Sequence, residues 1–281
     1  MTWYLSAIIA VLTFSIQFSL FQRLQKTYSI QVYLFYAWMI PSISLGILSL
    51  PAHGIPLSWV TIIPLVLAGV ASYIGNGSYN LSISRQPNLG YVESLSSIRI
   101  ALTYIFSLFY LSSEFNWIRL VALVGVTLGV VIVAGRKTSA SNASVQSGWA
   151  TSGIIAGVMF AVLAVTSRFA FANGVDSIAG TSVILLIAGL LYGGEAIVRK
   201  RELKPSKDVL ILILVGILGT VGNAALFDSY SRAPNLAYTT AISSSRMILL
   251  YLLSLAKGSD KLDLIRATGI VVTFISVIFL G

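Results

Sequence analysis

The 281 residues include only 10% charged side chains against 57% hydrophobic ones, and the mean hydropathy is +0.90. A soluble domain carries roughly 25% charged residues, so a water-soluble globule is excluded. The net charge of +9 would suit nucleic acid in a soluble protein. Here the basic residues stand mostly in short loops between apolar runs, where anionic headgroups and the positive-inside rule favour them, so the expected partner is a lipid bilayer and not nucleic acid.

In chain order, apolar runs occur near Trp3–Phe21, Val32–Leu50, Val60–Tyr79, Leu89–Leu111, Ile118–Gly135, Trp149–Phe171, Ser177–Val198, Val209–Tyr230, Leu236–Ala256 and Asp263–Leu280. Each is long enough to cross about 30 Å of hydrocarbon as a helix, and none alternates in polarity as a barrel strand does. Only Met1-Thr2 precede the first run, with no basic residue, so that run reads as a helix and not as a signal peptide. The one histidine, His53, lies in a Pro/Gly loop and cysteine is absent. Thiolate, zinc-cysteine, histidine-triad and two-histidine metal chemistry therefore lack their residues. No GxxxxGK[ST] loop occurs, so ATP does not drive the chain directly, and no cofactor or metal is expected.

The polar stretch at residues 136–148 reads as a flexible linker, and the sequences on either side of it match. At a shift of 147, Ser82-Ile83-Ser84-Arg85-Gln86-Pro87-Asn88-Leu89 returns as Ser229-Tyr230-Ser231-Arg232-Ala233-Pro234-Asn235-Leu236. Gly75-Asn76 returns as Gly222-Asn223, and Ser96, Ser97 and Arg99 return as Ser243, Ser244 and Arg246. About half the positions from Gly75 to Leu108 are identical, and the first spans agree at a shift of 146, Trp3 with Trp149 and Ser6 with Ser152. Apolar composition alone does not put Gly-Asn, Arg-x-Pro-Asn-Leu and Ser-Ser-x-Arg in register. Five spans per copy is an odd number, so the second copy enters the membrane from the opposite side, the plan of many secondary transporters. The expected fold is an all-α integral membrane protein of ten transmembrane helices in two inverted five-helix repeats, residues 1–135 and 149–281.

The two repeats, the short break after the third span, and a fourth span leading to Ser113-Glu114 and a Gly-rich fifth span (Gly125, Gly129) resemble the EamA-type transporters of the drug/metabolite transporter superfamily. The resemblance covers the whole chain and implies transport of a small-molecule substrate, with a prokaryotic cytoplasmic membrane as the expected location and a monomer or homodimer as the expected assembly. The acidic residue after the fourth span is Glu114, with Lys261 as its repeat partner. Where that family often has a proline in the fourth and ninth helices, this chain has Ser96-Ser97-Ile98-Arg99 and Ser243-Ser244-Ser245-Arg246.

Arg99 and Arg246 fall near the centres of their spans, where a charge costs about 2.5–3.5 kcal/mol to insert. Either each is paired and ties helices together, or both face a shared site that suits a carboxylate or phosphate. Glu93 is the only acid well inside the fourth span, opposite Thr240 in the repeat, and is a candidate for an arginine partner, a substrate amine or a proton. Six residues separate Glu93 from Arg99, so on one helix they are not neighbours. Ser97 and Ser244 either favour close packing or line the site, and Asn76 and Asn223 either cross-link helices or line it. Tyr36 and Trp38 are aromatics of the site or of the interfacial belt. Asp228 is a counter-ion or a proton relay, and Pro87-Asn88 and Pro234-Asn235 are helix breaks and restarts.

Positive charge collects after spans one, three, five, seven and nine, from Arg23 and Lys26 to Lys257 and Lys261. Taken literally this puts both termini outside the cytoplasm, whereas the resemblance implies both inside. The expected function is secondary or facilitated transport of small polar metabolites, amino acids or related carboxylates, by alternating access. An organic-phosphate or nucleotide-sugar exchanger is the alternative within transport, and a structural subunit or intramembrane enzyme the alternative outside it.

Overall fold

The computed structural model describes residues 2–50, 58–85, 89–110, 115–134, 147–204, 208–256 and 263–280. His53, Pro87-Asn88, Glu114, Lys261 and all but the last two residues of the linker lie outside the described residues. All regular structure among the described residues is helical, as hydrocarbon requires when each backbone N–H and C=O must find its partner within the segment. In chain order the helices are α1 (Trp3–Leu24), α2 (Ile30–Ser49), α3 (Trp59–Arg85), α4 (Leu89–Ser96), α5 (Ile98–Tyr110), α6 (Trp117–Ala134), α7 (Trp149–Ala172), α8 (Ser177–Val198), α9 (Val209–Arg232), α10 (Leu236–Ser244), α11 (Arg246–Ala256) and α12 (Leu264–Leu280). Of these, α1, α2, α3, α7, α8 and α9 are each long and apolar enough to cross a membrane. Large apolar side chains such as Phe109, Val198 and Leu210 stand exposed, which suits lipid and not water.

Eight of the ten expected spans coincide with single helices; the fourth and ninth do not. Each was expected as one helix and is two, α4 and α5 meeting at Ser97, α10 and α11 at Ser245. The cause lies in the serines. Ser96 Oγ and Ser97 Oγ both donate to the Glu93 carbonyl, at 3.0 and 2.8 Å, and the Ile100 N–H reaches back only three residues, to Ser97 O. In the second copy Ser244 Oγ donates to Thr240 O (3.0 Å), Ser245 Oγ to Ile242 O (2.6 Å), and the Ile248 N–H bonds Ser245 O. Hydroxyls that bond their own helix's carbonyls compete with its ladder, and a tightened three-residue turn bends or breaks it. Downstream of Pro234, Asn235 caps α10 by accepting the Ala237 N–H at 2.9 Å, which restarts the helix after α9 ends at Arg232.

The chain packs as two compact units, and each takes segments from both halves of the sequence. Unit 1 is residues 1–77 with 162–232. In it α2 packs on α8 and α9, and α1 on α9. Ser42 Oγ donates to Ser182 O at 2.9 Å and Ser182 Oγ to Ser42 O at 2.8 Å, a reciprocal link between α2 and α8. Pro41 removes an N–H from α2 and with it the usual partner of the Ala37 carbonyl. There α9 presents Gly219, where a Cβ would meet Gln17 Nε2 at 2.8 Å and Pro41 Cγ at 2.9 Å. Glu195 of α8 accepts from Gln31 of α2 (3.0 Å) and Tyr73 of α3 (2.9 Å) and pairs with Arg199 (2.8 Å).

Unit 2 is residues 78–161 with 233–281. Its α6 packs on α12 through Gly125 and Gly129, beside Ser276 and Thr273. Its α5 meets α10 through a Thr103–Thr240 hydroxyl bond of 3.0 Å. Gly157 of α7 lies against the α4–α5 break, where a Cβ would stand 2.8 Å from Ser96 O and 2.6 Å from Ile98 Cγ2. Only a residue without a side chain lets α7 come this close to the break.

Candidate substrate-binding site

Glu93 is fully buried near the end of α4. A carboxylate in such surroundings is tolerated only when it is paired and hydrogen-bonded. Its Oε1 accepts from Arg99 Nη2 at 2.7 Å, and its Oε2 from Arg246 Nη2 at 3.0 Å and the Tyr79 hydroxyl at 2.6 Å. These partners come from α3, α5 and α11, so one carboxylate joins residues of both sequence copies within unit 2. Counted formally, two guanidiniums and one carboxylate leave the cluster at +1.

Glu93 and Arg99 are thus direct partners, which corrects the expectation drawn from their spacing of six. That expectation assumed one continuous helix. The turn at Ser97 places the two residues on different helices, and the side chains meet across it.

The repeat-equivalent arginines are not equivalent in their surroundings. Arg99 also donates from Nη2 to Ser244 Oγ (2.8 Å) and from Nη1 to Ser96 Oγ (3.3 Å), and its guanidinium lies 5.5 Å from the Phe160 ring centroid. Its side chain keeps 6% of its surface exposed, against 17% for Arg246. Arg246 lies 5.1 Å over the Tyr79 ring, and its Nε–H is buried with no acceptor among the described residues. An orphaned buried donor costs about 1–3 kcal/mol, so this edge of Arg246 favours a further acceptor.

Ser97 and Ser244 flank the cluster, bonding the backbone carbonyls of Glu93 and of its repeat partner Thr240. The other expected site residues belong to unit 1. Asn76 and Asn223 donate to Ser72 O (2.9 Å) and Gly219 O (2.8 Å), the same bond to their own helix in each copy. The Tyr36 hydroxyl donates to the Leu203 carbonyl. Trp38 is buried with its Nε1–H lacking an acceptor among the described residues. Asp228 accepts from Ser6 Oγ at 2.6 Å and pairs with Arg232 at 2.9 Å.

Tyr79 and Phe160 are the cluster residues that sequence reasoning missed. Neither departs from the aromatic, apolar texture of its span, and the only available signal was chemical: a buried glutamate needs donors beyond one arginine.

A family model described as the EamA-like transporter family matches residues 1–135 and again residues 147–281. No curated protein matches the sequence. Among solved structures 29 chains match. One of them, described only as a crystal structure of a protein, is similar with a TM-score of 0.75 and 15% identity, over 99% of this chain and 97% of its own. At that identity the likeness is one of fold.

Proposed function

The chain belongs to the EamA-like transporter family, within the drug/metabolite transporter superfamily, and from that premise we propose that it carries small carboxylate-bearing metabolites, amino acids among them, across a prokaryotic cytoplasmic membrane. The coarser part of this is plain: an integral, multi-pass membrane protein of a family whose members are transporters and not enzymes. The observation that carries the finer part is the buried cluster of Arg99, Arg246 and Glu93, in which a carboxylate already sits against both guanidiniums. A group that binds an internal carboxylate in this way binds a substrate's by the same bonds. With Glu93 in place the formal charge is +1, which suits a monoanion or a zwitterion better than a phosphate dianion beside a fixed carboxylate.

Alternating access by two copies of opposite orientation is the mechanism this reading adopts. The sequence duplication, with an odd number of spans in each copy, supports it.

The test is counterflow in proteoliposomes with labelled amino acids, organic phosphates and organic cations, which needs no assumption about the driving force. Arg246→Ala and Arg99→Ala are each expected to cut carboxylate exchange about thirtyfold or more, the equivalent of about 2 kcal/mol for removing a buried charged partner. Variants that insert well and exchange carboxylates like wild type would show that the cluster is not the binding site. Arginine-dependent exchange of phosphates alone would transfer the site to an organic phosphate.

A further inference from the structure

The two arginines are kept in both copies, yet the geometry around them is unequal, and the difference divides their labour. Arg99 spends its donors inside the protein: one on Glu93, one on Ser244 of α10, one on Ser96 of its own broken span, with Phe160 against its guanidinium. Arg246 holds Glu93 by a single Nη2 bond, leaves its Nε–H without an acceptor among the described residues, and is the more exposed of the two. Nε and Nη2 form one edge of the guanidinium fork, the edge that grips a carboxylate with two parallel bonds. Glu93 uses half of it.

We propose, resting on the carboxylate-transport reading above, that Arg246 is the arginine that takes the substrate's carboxylate, and that Glu93, held by Arg99, takes its ammonium group, so that the preferred substrate is a zwitterionic α-amino acid. A carboxylate binding through Nε and Nη2 replaces the one-bond contact of Glu93 with a two-bond contact and gives the orphaned Nε–H an acceptor. Glu93 Oε2 then loses Arg246 and keeps only the Tyr79 hydroxyl, while Oε1 stays on Arg99. An ammonium group restores the lost charge partner at Oε2. One internal ion pair becomes two ion pairs with the substrate, and the formal charge of the site does not change. A carboxylate without an ammonium takes Arg246 but leaves Oε2 short of a cation, and an amine without a carboxylate gains Glu93 only by leaving Arg246 unpaired. Arg246 is the first residue of α11, directly after the turn at Ser245, and its opposite number across the pair, Glu93, lies just before the turn at Ser97. Both partners of the exchangeable contact thus flank helix breaks, where the backbone lacks a full ladder of hydrogen bonds.

The experiment uses wild-type protein first. In counterflow of labelled alanine, unlabelled alanine is expected to compete at a concentration at least about tenfold lower than propionate, which lacks the ammonium, or ethylamine, which lacks the carboxylate, because a site built for a polar group is left unpaired by the analogue without it. Glu93→Gln is expected to move the alanine-to-propionate preference toward propionate by at least about tenfold, by removing the ammonium's partner and the internal competitor together. Arg246→Lys is expected to raise the alanine concentration for half-maximal exchange by about tenfold or more and Arg99→Lys by less than about threefold, since the fork matters most where two bonds are made. Propionate competing as well as alanine in wild type would overturn the ammonium assignment and leave carboxylate transport standing. Equal losses in the two lysine variants would overturn the division between the arginines. Absence of carboxylate exchange altogether would overturn the reading of the site on which this rests.

Discussion

Glu93 lies buried against Arg99, Arg246 and Tyr79, and a charge inside an apolar run is so costly that the three charged residues are legible as a set in the sequence. Their pairing is not, because the count of six between Glu93 and Arg99 is laid on a helix that does not continue through Ser97. Tyr79 was hidden for a different reason. It is one of 13 tyrosines, and its repeat partner is Leu226, so the duplication gave no hint of it. Its hydroxyl supplies the third charge-assisted bond to Glu93 while its ring lies under Arg246. Tyr79→Phe keeps the ring and deletes the donor, and is expected to lower unfolding stability by about 1.5–3 kcal/mol, the usual worth of a hydrogen bond to a charged group. Tyr79→Leu, which copies the second repeat, removes the ring contact as well and is expected to cost more. Reversible unfolding in mixed micelles measures both, and a Tyr79→Phe curve superimposed on wild type would remove the hydroxyl from the account of how Glu93 is held.

At the scale of elements, eight spans could be read to within a few residues because length and hydropathy decide them. The two breaks escaped because serine is a weak breaker: the same Ser-Ser pair packs quietly in one membrane helix and diverts carbonyls in another. Gly157 is what makes the first break structural, since it lets α7 lie against Ser96 O. Glycines on α6 serve α12 in the same way, but with an instructive difference. A Cβ at Gly125 would run into Ser276 Oγ and otherwise, among the described residues, would meet only Ser276 Cβ at 3.2 Å. One at Gly129 would run into Thr273 Oγ1 and would also meet the Gly269 carbonyl at 2.7 Å and the Thr273 amide at 3.0 Å. The first obstacle is mainly a hydroxyl and the second is largely backbone. Gly129→Ala is therefore expected to destabilise by about 1–3 kcal/mol, the cost of overpacking a tight contact. Thr273→Ala should not rescue it, whereas Ser276→Ala should rescue most of any loss from Gly125→Ala. Double-mutant cycles in the same unfolding assay read the two couplings. Equal rescue at both sites would mean that α6 and α12 shift apart freely, contrary to a contact set by backbone.

The whole molecule is where sequence and packing divide the chain differently. Sequence identity cuts it at the linker into two copies, while compactness cuts it into units that each use segments of both copies. This is the outcome expected when neither copy buries its polar and small-residue faces alone. Opposite orientation of the copies is what five spans in each would require, and it can be tested directly because the chain has no cysteine. Thr27, in the turn after α1, corresponds at the shift of 146 to Asn173 after α7, and both side chains are exposed. Inverted copies put these equivalent turns on opposite faces, and put Arg201, after α8, on the face of Thr27. Single-cysteine variants at the three positions, labelled in sealed vesicles of known orientation with a membrane-impermeant maleimide, are expected to divide as 27 and 201 against 173. Labelling of 27 and 173 from the same face would mean parallel copies and would end the inverted-repeat mechanism. The face on which 27 and 201 react also decides between two rules that conflict in this chain. If it is cytoplasmic, the excess of lysine and arginine in the odd-numbered turns sets the orientation, as electrostatic retention of short basic loops requires. If it is external, family topology has overridden a bias that runs from Arg23 through Lys204, and those residues then serve the outer surface, where a basic rim raises the local concentration of anionic solutes.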